Sequence, residues 1–379
     1  MKKNTLVSQI LQVECLKKFV AEAISEYNEQ RLLDSERIYH DTGRKMTVLV
    51  LVQYLLLVAM VNCRSFREAE LLGVEYGLAK VDFTTLAKKA QDVPYEIIQR
   101  AFCKIVATRS REIWRKTEKS FWGMLQILDS TRITAYKTKW RWAPFLRESS
   151  GLKFHVLYYP ELDCAVKIET SKIGEGDTAH MLSFQNPDRI LIADRGYMNL
   201  KNLAELAQVR QKFVVRMRNT VKTTPVSASP MPKENGYTDE ICMLGKKNSR
   251  HTYAISQAFR IVRFRGNDNS EVILCTNIID LPASEIAQMY KERWQIECFF
   301  RRLKQNFQIK RLFGQSQNAA FSQGLCAFIA YLFMEKIYTV LVQKKKFTGT
   351  LCNFLHQVKL NLSLPIRCLL HKMDAVLIA

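Results

Sequence analysis

Tyr290, Arg293, Glu297 and Lys304 place a phenol, two cations and a carboxylate at spacings of three, four and seven residues. If Ser284–Gln308 is one helix turning at roughly 100° per residue, the four fall within roughly 60° of each other, on a single stripe. Pro282 and Ser284 supply the start signal, and no Pro or Gly interrupts before Gly314. Met289, Ile296, Phe300, Leu303 and Phe307 fill the neighbouring arc, so the helix has an apolar face to bury. An ordinary amphipathic surface helix with i,i+4 charge pairs has the same pattern. A carboxylate ringed by cations is also what a site for metal and phosphate needs, so other parts of the chain must decide.

Two further carboxylates close apolar runs. Gly123–Asp129 is a short strand-like run ending in Asp129, and Arg189–Asp194 ends in Asp194 before an Arg195-Gly196 turn. One acid at a strand end is usually a cap or turn residue. Three that can converge suit a hard divalent cation, which binds oxygen ligands and shares carboxylates with phosphate. Two such ions about 3.5–4 Å apart can serve both the attacking and the leaving oxygen of phosphoryl transfer. Zinc chemistry has no equivalent support: none of the ten cysteines forms a CxxC pair, and no Cys/His cluster has ligand spacing.

The elements that must position these residues follow from periodicity. Residues 1–118 read as all-helical, over Asn4–Asn28, Gln30–His40, Met46–Val61, Ser65–Gly73, Phe83–Lys89 and Pro94–Arg109. Their basic character points to a DNA-end-binding domain. Residues 119–335 read as a mixed α/β domain. Phe154–Tyr159 and Cys164–Thr170 form a hairpin across Pro160–Asp163, Asp177–Phe184 and Leu200–Gln208 are helices, and Lys212–Arg216 is a strand. Ligands of open α/β sheets gather at strand carboxyl ends, where Asp129 and Asp194 fall. About 219–277 reads as a β-rich insertion, with Asp239–Leu244, Thr252–Ile255, Phe259–Arg265 and Glu271–Thr276 as strands. Arg260, Arg263 and Arg265 could give one strand a basic, DNA-facing side. Ala319–Lys344 and Thr348–Leu360 are helices, and residues 336–379 form a C-terminal helical region.

Composition narrows the partner. Fifty-seven Lys and Arg oppose 36 Asp and Glu, a formal charge of +21, which favours a polyanion and most simply nucleic acid. With 47% apolar residues the chain is a folded one. Met46–Val61 falls short of the roughly 20 residues of a membrane span, and Glu335 and Lys336 interrupt Leu325–Val342, so no membrane segment is expected. The cysteines read as reduced thiols of a cytoplasmic protein, and no signal peptide is evident.

On these motifs the chain resembles the DDE transposases of the insertion-sequence-four group. The likeness spans about residues 120–335. It rests on Leu128-Asp129-Ser130-Thr131, on Ile192-Ala193-Asp194-Arg195-Gly196-Tyr197, and on the signature Tyr-x2-Arg-x3-Glu-x6-Lys, met in full by Tyr290, Arg293, Glu297 and Lys304. Thr276-Asn277 and Phe299–Lys304 also resemble family wording. The resemblance implies an α/β ribonuclease-H-like core with a β-rich insertion, preceded by an all-helical N-terminal domain and followed by C-terminal helices. Asp129, Asp194 and Glu297 would be catalytic and hold Mg2+ or Mn2+, as two ions. Tyr290, Arg293 and Lys304, with Arg301 and Arg195, would bind DNA. The implied activity is metal-dependent cleavage and strand transfer of an insertion sequence by a homodimer on paired ends, with transposon ends and target DNA as double-stranded partners and a nucleoid-associated location. In relatives the insertion helps hold a DNA hairpin with a base stacked on an aromatic; here Tyr237, Tyr253 or Phe259 would serve. The alternatives are a repurposed DNA-binding protein without catalysis and a simple metal-dependent nuclease.

Overall fold

The computed structural model describes residues 5–114, 124–136, 140, 142–143, 145–146, 149–226, 234–245, 257–266, 268–365 and 368–369. The boundary expected near 118 and the strand expected at Thr252–Ile255 lie outside them, as does Tyr253. The chain forms two compact units, one of residues 1–114, 133–152 and 300–379, the other of residues 115–132 and 153–299.

The first unit begins with the expected helical region: α1 (Leu6–Leu11), α2 (Glu14–Leu33), α3 (Val48–Val61), α4 (Phe66–Glu75), α5 (Phe83–Asp92) and α6 (Tyr95–Trp114). Side-chain caps explain several starts. Thr5 and Ser8 cap α1 reciprocally, and Thr47, Ser65 and Asp82 cap α3, α4 and α5. Two readings change. Asn4–Asn28 is broken at Gln12–Val13, where Val13 is extended, and Gln30–His40 is not a helix. There α2 runs on to Leu33 and the chain turns away through Ser35, whose φ is 55°. Asn62 closes α3 in the left-handed region, which Asn tolerates, and Ser65 restarts the chain as α4.

Gly73 is required on α4, because a Cβ there would come 2.4 Å from the Tyr54 ring. Tyr54 is fully buried, and its hydroxyl donates to the Ala79 carbonyl at 2.7 Å. Gly73→Ala is therefore expected to destabilise the protein by about 1–3 kcal/mol, read from the urea midpoint.

The second unit is built on the sheet. The strands of the sheet are β1 (Leu125–Tyr136), β2 (Phe145–Leu146), β3 (Ser149–Tyr159), β4 (Cys164–Lys172), β5 (Ile190–Ala193), β6 (Lys212–Arg216), β7 (Thr223–Pro225), β8 (Thr238–Leu244), β9 (Ala258–Arg265) and β10 (Glu271–Thr276). Residues 133–152, with β2 and the far ends of β1 and β3, belong to the first unit. The order is β2-β3-β1-β5-β6-β10-β9-β8-β7, with β4 on β3. β1, β5 and β6 are parallel; β6, β10, β9, β8 and β7 are antiparallel neighbours in turn. The segment expected as an insertion thus extends the main sheet through β10 beside β6. The cause is visible in β10, whose Val272–Cys275 is a buried apolar run that needs a partner on each side.

The helix α7 (Leu200–Gln208) has the expected bounds, started by Asn199. Asp177–Phe184 is instead two short 3-10 turns, Asp177–His180 and Leu182–Phe184. Side chains hold it so: Lys153 binds Asp177 at 2.7 Å and His180 binds Glu169 at 2.9 Å.

The alternation of strand side chains sorts the sheet's two faces. Leu128, Leu191, Ala193, Phe213, Val215, Phe259, Ile261, Ile273 and Cys275 share one core with Leu203 and Leu206 of α7. The residues between them belong to the opposite face. There lies α8 (Ala283–Lys291), packed on β6 and β9 and followed by α9 (Trp294–Asn306).

The chain ends with α10 (Gln317–Gln343) and α11 (Leu351–Leu360) of the first unit. Among the described residues α10 is the one unbroken helix long and apolar enough to cross a membrane; α3 and α4 pass the same test only as a pair bent by 97°. Within this unit α10 packs on α3, α5 and α6, and its residues 319–335 are buried.

Candidate active site

Asp129 and Asp194 meet through strand register. β1 and β5 pair in parallel from Leu125–Ile190 to Leu128–Ala193, so the two acids are the next residues on adjacent strands, which lie roughly 4.8 Å apart. Leu128 and Ala193 face the α7 core, so a further step along each strand turns both acids to the α8 face. One expectation changes here. β5 does end before Asp194, but β1 runs through Asp129 to Tyr136. Asp129 marks the end of the β1–β5 pairing and not of its strand.

The expected single helix Ser284–Gln308 is two. Around Glu292 and Arg293 the backbone tightens: Arg293 N–H donates to Tyr290 O at 3.1 Å, and Gln295 N–H to Glu292 O at 2.9 Å. These are i to i−3 bonds, which wind the chain faster than an α-turn. The start of α8 is held from outside the helix, by the Glu234 carboxylate on the Ser284 amide at 3.0 Å. Favourable charge at a helix N-terminus adds to that hold.

These elements bring five of the sequence-derived residues together. Tyr290 donates to Asp194 Oδ1 at 3.2 Å. Arg293 places one terminal nitrogen 3.5 Å from Asp129 Oδ2 and the other 2.6 Å from Glu297 Oε1. Its guanidinium also lies 5.7 Å from the centre of the Tyr290 ring. The Arg293 side chain is 17% exposed and its Nε is buried without a partner, a donor left without an acceptor. Asp129 takes the Ser130 amide at 2.7 Å. Burial pushes its carboxyl up to about 6; Asp194 and Glu297 add to the rise, against the Ser130 amide and Arg293. Burial likewise carries the Tyr290 hydroxyl up to about 12, so it is a donor at neutral pH.

The other sequence-derived residues stand differently. Arg195 is exposed on the turn after Asp194. Lys304 and Arg301 continue α9 within the first unit, Lys304 seven residues beyond Glu297. The basic strand face is overturned in part. Arg260 is 1% exposed and forks onto Asp239 at 2.9 and 2.6 Å, because β9 turns it under the segment leading into α8, where it also donates to Ile278 and Leu281 carbonyls. Arg263 pairs with Glu240, and Arg265 remains exposed. Phe259 is buried against Phe213, so no base can stack on it as it stands, whereas Tyr237 rests on Phe264.

Sequence reasoning missed Arg216. The register pairs Ala193 with Val215, which sets Arg216 beside Asp194, and its side chain faces the Tyr290 hydroxyl. The available signal was Arg216 itself, the basic end of an apolar strand one crossover after Asp194.

As arranged, the site is three carboxylates with cations among them. Among the described residues no three His, Cys, Asp or Glu side chains are gathered closely enough to make a ready metal cage. The donor chemistry nevertheless fits a hard divalent cation: oxygens only, with one carboxyl disfavoured as an anion by burial and by two like charges.

Comparison with known proteins agrees with these motifs. The family described as the transposase DDE domain matches residues 123–333. A Geobacillus stearothermophilus protein named as the probable transposase for insertion sequence element IS5377 is 32% identical over 343 residues, covering 87% of this chain and 88% of that protein. A Synechocystis protein named as a transposase for insertion sequence element IS4SA is 26% identical over 67% of this chain and 71% of its own length. A solved piggyBac transposase synaptic complex with hairpin DNA aligns at a TM-score of 0.46 and 12% identity, covering 98% of this chain and 82% of that one. On the domain match and the first relative, this chain belongs to the insertion-sequence transposases that carry a DDE domain.

Proposed function

We propose that this transposase cuts DNA at the terminal inverted repeats of its own element and transfers the freed strand to target DNA, using divalent metal at Asp129, Asp194 and Glu297 within a ribonuclease-H-like core. The observation that carries the reading is the cluster itself: Asp129, Asp194, Tyr290, Arg293 and Glu297 come from distant segments and are joined by direct polar contacts. The parallel β1–β5–β6 strands, with acids where the pairing ends, support the core assignment.

The three carboxylates would hold Mg2+ or Mn2+, as two ions. When bound, the ions would neutralise phosphate charge and polarise the attacking and leaving oxygens. Arg293 can offer a planar fork to a phosphate, and Lys304, Arg301, Arg195 and Arg216 supply further cations for the DNA backbone. Tyr290 keeps Asp194 oriented by its hydrogen bond. The chain acts as a homodimer on paired ends, in the cytoplasm with the nucleoid, and α10 serves as a core helix rather than a span.

The test is cleavage of a duplex carrying the element's end. EDTA is expected to stop it, and Mg2+ or Mn2+ to restore it with joined products; metal-independent cleavage would overturn the mechanism, and cutting without joining would mark a nuclease. Arg293→Ala is expected to lower the slope of log affinity against log salt by about one unit, read by gel shift at several salt concentrations. An unchanged slope would remove Arg293 from phosphate contact.

A further inference from the structure

Behind the carboxylates lies a buried polar chain that the mechanism above does not use. His155 on β3 is fully buried. Its Nε2 is 2.8 Å from Ser171 Oγ on β4, and its Nδ1 is 3.0 Å from the Tyr197 hydroxyl. Its ring stacks on His180 at 3.9 Å. Tyr197 is 1% exposed, and its hydroxyl also meets the Ser130 side chain. Ser130 follows Asp129 and binds it through the amide. The Tyr197 amide closes the turn back onto the Asp194 carbonyl at 3.0 Å. The same turn is pressed against Asp177, since a Cβ on Gly196 would come 3.2 Å from Asp177 Oδ2.

A satisfied core histidine needs no functional explanation. The position of this one does suggest one. The β1–β5 ladder has its last registered pair at Leu128 and Ala193, one residue short of both acids. Register brings Asp129 and Asp194 side by side, but no registered backbone pair joins the acids themselves. Tyr197 spans the gap with its amide on the Asp194 side and its hydroxyl on the Asp129 side, and His155 fixes the ring from behind.

We propose that Tyr197, held by His155, is a positioning residue that sets the spacing of Asp129 and Asp194 and thereby the affinity of the pair for a divalent cation. This rests on the reading of those carboxylates as the cation site. Partners that orient metal-binding groups typically change affinity 10–100-fold when removed.

The experiment measures Mn2+ binding to the full chain by the electron paramagnetic resonance of free Mn2+, with thermal unfolding in parallel. Tyr197→Phe is expected to weaken Mn2+ binding roughly tenfold, with the unfolding midpoint within about 3 °C of the parent. In cleavage assays half-saturating Mn2+ should rise while the maximal rate recovers at high Mn2+. Ser130→Ala, which removes the other end of the bridge, is expected to give the same shift. Parental Mn2+ affinity in both variants overturns the proposal, whatever happens to the unfolding midpoint. Asp129→Asn separates the two readings. If it alone loses Mn2+ binding, only the positioning role falls; if it too binds as the parent does, the cation site falls with it.

Discussion

Asp129→Asn is expected to lower single-turnover cleavage of the element's end by about 10³-fold, equivalent to about 4 kcal/mol of lost transition-state stabilisation, while end binding persists. The substitution keeps shape and removes charge. Asp129 sits beside Asp194 by register and faces Arg293, so the loss of its anion strikes the middle of the carboxylate set. Binding is expected to persist because the cations proposed to meet phosphate are untouched. Cleavage at the parental rate would remove Asp129 from the site.

The same variant carries a stability signature of opposite sign. Burial holds the Asp129 carboxyl at about 6 in the folded protein against an ordinary 3.8. Between those values the folded state binds more protons than the unfolded one, so stability falls as pH rises through the window. Above pH 6 the full penalty stands, at most about 3 kcal/mol, and Asp129→Asn removes it. The variant should therefore unfold at higher urea than the parent at pH 7.5, and the advantage should vanish below about pH 4. A residue that costs stability where it stands and is required for turnover is the usual sign of a functional group.

Arg260→Ala is expected to destabilise the protein by about 3–5 kcal/mol, without changing the salt dependence of DNA binding. Arg260 and Asp239 are 1% and 4% exposed, so removing the cation strands a buried carboxylate. The loss also frees the carbonyls of Ile278 and Leu281, which lead into α8 and hence to Tyr290. Urea unfolding gives the stability change, and gel shifts over salt give the slope. A change under 1 kcal/mol with a lowered slope would return Arg260 to the DNA-facing role its sequence neighbours suggest.

Much of this site could be read before any coordinates. Tyr290, Arg293 and Glu297 were legible because helical spacing is local, and Asp129 and Asp194 because each follows an apolar run that has to be a buried strand. The helical runs of α3, α4 and α5, the bounds of α7 and the β3–β4 hairpin were legible for the same reason: each depends on neighbours within a few residues. The single helix across Arg293 failed where local spacing is blind. No Gly or Pro marks the tightened turn at Glu292–Arg293, from which Arg293 reaches both Asp129 and Glu297.

By itself the sequence determined the residue types, their order, the net charge and which strands are apolar, and with them the family. Only the tertiary structure decided which distant side chains meet. Whether Arg260 faces DNA or Asp239, whether Arg216 stands beside Asp194, and whether Tyr197 bridges the two acids all depend on strand register and on the face each residue takes. A shift of one residue would turn every one of these side chains to the other face. Register is fixed by packing across the whole sheet, a long-range term that no window along the chain contains.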